Sequence, residues 1–453
     1  MSTDDDLGAF VARHGSGRVV RAGPGGTAPD LAGAGTVVCA DWPPPGREAA
    51  HRRLLGDIRR AMSPTGVLIV EQRLRCPADL AALVRCAGYA VEHTEPAGEG
   101  VRLVARPLPA PPEALAVTAW GEEMPGIRLD LRYADDEAEW MDPSPAEVWA
   151  DLASDGAFDA DAAGHYPVDD PFGSRRGAPV VSRFFGRTVP AERLFFGAGV
   201  SGLLRDLADL AEGGVVLTPA YAHPDLPALA VRRGATVHVM SEPAAPLLGE
   251  IARTRPDLLL LDQPGFSGRP YALDEIVAAS HAVPALVVDE SAAPYLGPGG
   301  SAVTVAAGAG NLVVLRGFTK AYSWGGLRAG FAVASPGLEA RVRELMTPLQ
   351  ISELALRAAL GMLAAGDVLK GLRARIRAVK PPFTRRLAEA GLTVVPGHED
   401  VPWVVIHDGD GSQGRLLADR GIRGLTPSRP GQLRLTVPLS GRRIALFHEL
   451  LGP

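Results

Sequence analysis

The chain has 453 residues, 46% of them hydrophobic and 22% charged, a composition that supports two or three folded domains and excludes disorder as the main state. A net charge of −6 with both signs interspersed leaves no basic stripe for nucleic acid. The cysteines Cys39, Cys76 and Cys86 form no close pair, so neither a disulfide framework nor a metal site is expected.

The chain opens on acidic Asp4-Asp5-Asp6 and contains no apolar run of about 18 residues, so the expectation is a cytoplasmic protein, neither exported nor inserted in a membrane. Residues 1–105 read as a small α/β unit. Strands Gly17–Ala22, Thr36–Ala40 and Gly66–Glu71 alternate with helices Arg47–Met62 and Ala78–Ala87, which argues for a parallel sheet covered by helices. The run from Leu54 to Glu71, with Ala87-Gly88-Tyr89 after it, resembles the second half of class I AdoMet-dependent methyltransferases. The first half departs from that pattern. A nucleotide site of this kind needs a glycine-rich turn after the first strand and an acid ending the second. Ala22-Gly23-Pro24-Gly25-Gly26 is a poor turn, and no acid-bearing strand precedes Thr36. The expectation is a truncated, non-catalytic methyltransferase-like domain used for docking or stability.

Pro107, Pro109, Pro111 and Pro112 mark a linker over residues 106–125, because proline donates no backbone hydrogen bond and stiffens the chain. Beyond it, Leu194-Phe195-Phe196 reads as a strand running into Gly197-Ala198-Gly199-Val200-Ser201-Gly202. Between strand and helix, such a loop offers backbone N–H groups and a helix dipole to a phosphate. The next strand, Gly214–Leu217, carries no acid to hold a ribose, so the dinucleotide reading lacks its second element. Leu258–Leu261 is a further buried strand, followed by Asp262-Gln263-Pro264-Gly265-Phe266-Ser267-Gly268. Ala285–Asp289 ends in a carboxylate, which needs a cation or a cap to serve. Strand Leu312–Leu315 then delivers Thr319-Lys320 into a turn of small residues, with Arg328 beside Gly325, Gly326 and Gly330. Held among apolar neighbours and near other cations, a lysine amine loses its proton more easily and can form a Schiff base, while the arginine can hold an anion. By spacing alone, a surface Lys and Arg on a glycine-rich loop competes with that reading. Helices Gly337–Leu345, Ser352–Leu363 and Val368–Ala390 lead to strands Trp403–Ile406 and Gln432–Val437.

Thr319, Lys320, Gly326 and Arg328 match, in order and spacing, the lysine motif of the class I/II aminotransferases, which use pyridoxal 5′-phosphate (PLP). The chain is most similar to the branch that includes histidinol-phosphate aminotransferase. The resemblance implies an α/β fold of the fold-type I PLP-dependent transferases, with a mostly parallel seven-stranded sheet and a small carboxyl-terminal domain. It divides the chain into an arm and part of the small lobe (126–190), a PLP-binding large domain (191–335), and helices with the small domain (336–453). It implies PLP on Lys320, the phosphate held by Gly199, Val200, Ser201, Thr319 and Arg328, and the pyridine stacked on Tyr221. Asp289 pairs with the pyridine nitrogen, and Arg434 grips the substrate carboxylate. His165-Tyr166-Pro167 resembles the family's Tyr-Pro pair, whose tyrosine reaches the neighbouring subunit's PLP phosphate, so Tyr166 implies a homodimer with shared active sites.

Two positions depart from the family. Its asparagine and tyrosine donors to the cofactor's ring oxygen fall on Gly265 and Ala292, and Tyr295 has the wrong spacing to stand in. The expectation is therefore an aminotransferase-like enzyme of specialised (secondary) metabolism. The alternative is β- or γ-elimination, replacement or carbon–carbon bond formation, with AdoMet itself as the amino-acid substrate. An NAD oxidoreductase built on Gly197–Gly202 is a more distant reading.

Overall fold

The structure, a computed structural model, describes residues 3–21, 34–39, 55, 58–59, 62–63, 65–72, 84, 89–97, 100–107, 126–133, 136–158, 164, 166–219, 221–223, 225–240, 246–409, 411–425 and 431–452. Most of the expected helices Arg47–Met62 and Ala78–Ala87, most of the 106–125 linker, the Gly23–Gly26 turn and His165 lie outside them. The chain divides into two compact units, residues 1–110 with 231–235, and residues 111–230 with 236–453.

In the first unit, helix α1 (Thr3–His14) precedes strands β1 (Val19–Arg21), β2 (Thr36–Cys39), β3 (Val67–Gln72), β4 (Tyr89–Ala97) and β5 (Gly100–Pro107), in the sheet order β1-β2-β3-β5-β4. The first three strands are parallel, and β5 runs antiparallel to both of its neighbours. Alternation sorts the apolar side chains. Val38, Val67, Ile69 and Val104 pack with Phe10 of α1, while Val37, Leu68, Val70 and Leu103 pack with Leu55, Ile58 and Tyr89. Buried Tyr89 donates its hydroxyl to the Leu55 carbonyl at 2.9 Å.

The second unit begins with β6 (Leu129–Asp130), a 3₁₀ turn at Glu137–Trp140, α2 (Pro145–Ser154), α3 (Ser174–Phe185), β7 (Leu194–Gly197), α4 (Gly199–Leu207), β8 (Val215–Thr218) and α5 (Asp225–Arg232). It continues through β9 (Thr236–Val239), α6 (Leu247–Thr254), β10 (Leu258–Asp262), α7 (Leu273–Ala282), β11 (Ala285–Asp289), β12 (Leu312–Gly317) and β13 (Gly330–Ala334). Helices α8 (Glu339–Leu345), α9 (Glu353–Ala364) and α10 (Lys370–Glu389) lead to β14 (Val394–Val395), β15 (Trp403–Asp408), α11 (Ser412–Asp419), β16 (Ile422–Arg423), β17 (Gly431–Thr436) and α12 (Gly441–Leu451).

The large sheet has the order β7-β13-β12-β11-β10-β8-β9. Six of its seven strands share one direction, and β13 alone runs against them. Strands β10, β11 and β12 are apolar along nearly their whole length and buried on both faces, the signature of central strands covered by helices. A smaller antiparallel sheet orders as β14-β15-β17, and β16 pairs with β6, joining Leu129 and Asp130 to the carboxyl-terminal lobe. Helix α2 starts at a capping box in which Ser144 accepts from the Glu147 N–H and the Glu147 side chain accepts from the Ser144 N–H. No described helix is long and apolar enough to cross a membrane.

Candidate active site

Three strand ends meet at one edge of the large sheet. β10 ends on Asp262, β11 on Asp289 and β12 on Gly317, and their parallel pairing sets the three carboxyl ends side by side. This is the edge at which open α/β sheets take their ligands.

Asp289 is 4% exposed, and its Oδ1 accepts from the Ser291 backbone N–H at 2.8 Å and from the Ser291 hydroxyl. Asp262 is its register partner on β10, so both side chains leave the same face of the sheet. Burial, and then the negative charge of Asp289, push the Asp262 carboxyl up to about 8, against the charge of Lys320 and a hydrogen bond from the His223 backbone N–H. Past Gly317, buried Phe318, Ala321 and Tyr322 pin a turn whose Lys320 carbonyl accepts from the Ser323 N–H at 2.9 Å. Thr319 and Lys320 stand exposed on that turn.

The anion-binding part lies at the start of α4. Gly199 has φ 72°, and a Cβ added there would stand 2.8 Å from Arg328 Nη2, so the guanidinium rests against bare backbone. Helix α4 opens with Gly199, Val200 and Ser201, whose N–H groups have no carbonyl of the preceding turn to meet. Arg328 donates to the Gly325 carbonyl at 3.2 Å and is otherwise exposed. The fixed cation and the helix amino terminus together suit a phosphate.

On the other side stands an aromatic group around Arg434 of β17. Its guanidinium carbon lies 5.0 Å from the Trp403 ring centroid and 5.6 Å from that of Phe266. The Arg434 Nε is buried and makes no hydrogen bond among the described residues. Burial pushes this guanidinium down to about 10, with Tyr295 and Tyr133 opposing the shift. A buried arginine nitrogen with no acceptor is costly unless a ligand supplies one. The Tyr221 ring stacks on Phe266 at 4.6 Å, which links the aromatic group toward the Asp262 strand end.

The structure thus gathers Lys320, Asp289, Thr319, Gly199, Val200, Ser201 and Arg328 at the ends of β7, β11 and β12, and joins Tyr221 to Arg434 through Phe266. Tyr166 is not part of this group within one chain; it lies on the surface, 80% exposed. The two departures stay open. A Cβ on Gly265 would meet nothing closer than 3.8 Å, and Ala292 is buried. Tyr295 is committed elsewhere, donating its hydroxyl to Glu137 at 2.6 Å. Phe266, Trp403 and Glu137 carried no signal of their own in the sequence. Asp262 did carry one, since Leu-Leu-Leu-Leu-Asp repeats the pattern of an apolar strand ending in a carboxylate seen at Asp289.

These residues fit pyridoxal phosphate. An anion cradle, a buried carboxylate and an exposed lysine are the kinds of partner that its phosphate, its ring nitrogen and its aldehyde need. Among the described residues, no group of three or more His, Cys, Asp or Glu is placed to hold a metal ion.

The family model "Aminotransferase class I and II" matches residues 273–442. An aromatic amino acid aminotransferase of Cutibacterium acnes is 33% identical over 129 residues, 28% of this chain and 36% of that protein. A histidinol-phosphate aminotransferase of Corynebacterium glutamicum is 27% identical over 345 residues, covering 73% of this chain and 92% of the relative. In fold, the chain is similar to the histidinol-phosphate aminotransferase of Sinorhizobium meliloti solved with pyridoxal 5′-phosphate. The TM-score is 0.56 at 20% identity, over 74% of this chain and 98% of that one.

Proposed function

We propose that this chain, an aminotransferase-like, PLP-dependent enzyme of the class I and II family, acts on an α-amino acid with Lys320 as the residue that holds the cofactor. The observation that carries the proposal is the meeting of Lys320, Asp289 and the Gly199–Arg328 cradle at one sheet edge. When bound, pyridoxal phosphate supplies an electron sink that weakens the bonds at the substrate Cα. Arg328 and the N–H groups of Gly199, Val200 and Ser201 hold the phosphate, with the Thr319 hydroxyl beside Lys320. Asp289 keeps a proton on the ring nitrogen by its negative charge, and Tyr221 offers the face of its ring. Arg434 grips the substrate carboxylate through its planar fork, as a lysine could not. The Lys320 amine would move the proton at the substrate Cα.

The remaining assignments are part of the same reading. The active form is a cytoplasmic homodimer in which Tyr166 of the partner subunit completes the phosphate site; the exposure of Tyr166 and Val168, 80% and 73%, supports it. Residues 126–190, 191–335 and 336–453 serve as arm, large domain and small domain. Residues 1–105 form a truncated methyltransferase-like domain without methyl transfer, joined through the 106–125 linker. What supports this last point is β5, an antiparallel strand inserted between β3 and β4 beside three parallel strands.

A second reading is favoured by one observation: neither Gly265 nor Ala292 has a side-chain donor, and the Tyr295 hydroxyl is spent on Glu137. It is elimination, replacement or carbon–carbon bond formation in specialised metabolism, with AdoMet, an α-amino acid with a leaving group at Cγ, as substrate. The experiment is absorbance of the purified protein titrated with PLP, alongside Lys320→Ala. A lysine-bound band lost in the variant is expected, and no band in the wild type under excess PLP would sink the assignment. Conversion to the amine form of the cofactor by an ordinary amino acid would mark an aminotransferase; release of a thioether from AdoMet would mark the second reading.

A further inference from the structure

We propose that Asp262 is the group that donates a hydrogen bond to the cofactor's ring oxygen, in the place left by Gly265 and Ala292. The inference rests on the PLP reading of the site and adds one residue to it.

The strand order carries the argument. Along the sheet run β7, β13, β12, β11 and β10. The phosphate cradle stands at the β7 end, Lys320 follows β12, and Asp289 ends β11. On the pyridine ring, the nitrogen and the carbon that bears the aldehyde are opposite each other, and the phosphate arm and ring oxygen lie on the two remaining edges. With the phosphate edge toward β7, the oxygen edge would face β10. Asp262 ends β10, shares its register and face with Asp289, and lies within electrostatic reach of both Asp289 and Lys320. Its neighbour Gln263 is held by Tyr271 instead: Nε2 donates to the Tyr271 carbonyl at 3.0 Å, and Oε1 accepts from the Tyr271 N–H at 2.8 Å.

Chemistry is consistent with this placement. Donating requires a protonated carboxyl, and burial beside Asp289 keeps the Asp262 proton to about 8. Among the described residues, Asp289, Lys320 and Tyr271 act on Asp262 by charge, and the His223 backbone N–H donates to it; Tyr271 is itself pushed up to about 12 by burial, with Asp262 contributing. Above its own titration, Asp262 turns from donor to anion.

The test is the pH titration of the Lys320-bound chromophore in PLP-loaded wild type, Asp262→Asn and Asp262→Ala. A donor to the ring oxygen draws that oxygen away from the proton it shares with the lysine nitrogen, so the chromophore loses its proton at lower pH. Asp262→Asn keeps a donor and should hold its midpoint near the wild-type value. Asp262→Ala should titrate roughly one pH unit higher, the worth of one hydrogen bond. Equal midpoints in all three proteins would overturn the assignment. So would an equal fall in both variants, because that is the effect of removing an anion. Failure of the underlying PLP reading is distinguishable, since the wild type would then show no lysine-bound band.

Discussion

Tyr295 donates its hydroxyl to Glu137 Oε2 at 2.6 Å, and both side chains are buried, at 4% and 3% exposure. The contact joins the segment before α2 to the group around Arg434, because the Tyr295 ring also stands edge-on to Trp403 at 6.1 Å. Burial pushes the Glu137 carboxyl up to about 8, with the Tyr295 hydrogen bond pulling the other way and Asp136 adding to the rise. The folded state therefore binds more protons than the unfolded chain between about 4.5 and about 8. Its contribution to stability is present below the lower value and is lost as pH rises through the upper one. Chemical denaturation at pH 5 and pH 8.5 should show the wild type weaker at the higher pH, and Glu137→Gln should shrink that difference. An unchanged difference would mean that Glu137 is ionised throughout.

The Gly199–Arg328 contact predicts a defect in cofactor binding. An alanine at 199 must hold φ near 72° and place its Cβ 2.8 Å from Arg328 Nη2. Strain of about 1 kcal/mol and a displaced guanidinium should lower PLP affinity tenfold or more, read by titration of the lysine-bound band. Arg328→Gln should lower it by a similar factor with the glycine intact. Wild-type affinity in both variants would remove the cradle from the phosphate site.

Arg434→Lys tests the carboxylate grip. Lysine keeps the charge but loses the fork and the stacking between Trp403 and Phe266. KM for the amino acid should rise on the order of 10- to 100-fold while PLP affinity holds. A fall in PLP affinity with KM unchanged would move Arg434 to the cofactor side.

Much of this site was legible because strands β10, β11 and β12 are continuous apolar runs, and such runs in an α/β chain are central strands whose carboxyl ends carry the chemistry. Asp289 and Lys320 follow from their places at those ends. What was not legible depends on contacts between distant segments. Nothing local announces that Gly330–Ala334 runs antiparallel between β7 and β12, or that Phe266, Trp403 and Arg434 meet. The β4–β5 hairpin went unread because His93, Glu95, Arg102 and Arg106 interrupt its apolar alternation, yet Arg102 is buried and pairs with Glu71 at 2.6 Å. Asp262 closes an apolar run as Asp289 does, yet only the register of β10 with β11 sets the two carboxylates side by side.

A buried ion pair fixes the strand end next to Asp289. Glu290, fully buried, accepts from Arg316 Nη1 at 3.1 Å, from the Ala302 N–H at 2.6 Å and from the Ser301 hydroxyl, and Arg316 is 3% exposed. Burial raises the Glu290 carboxyl, while Arg316 and the hydrogen bonds pull it down. Removing the cation alone leaves a carboxylate that neither water nor a counter-ion can reach, a loss of about 3–5 kcal/mol. Arg316→Met should therefore lower the denaturation midpoint sharply, and adding Glu290→Gln should recover part of the loss, because the amide needs no cation. If the double variant is no more stable than Arg316→Met, the loss comes instead from the packing of Arg316 over the Phe185 ring, 5.3 Å from its guanidinium carbon.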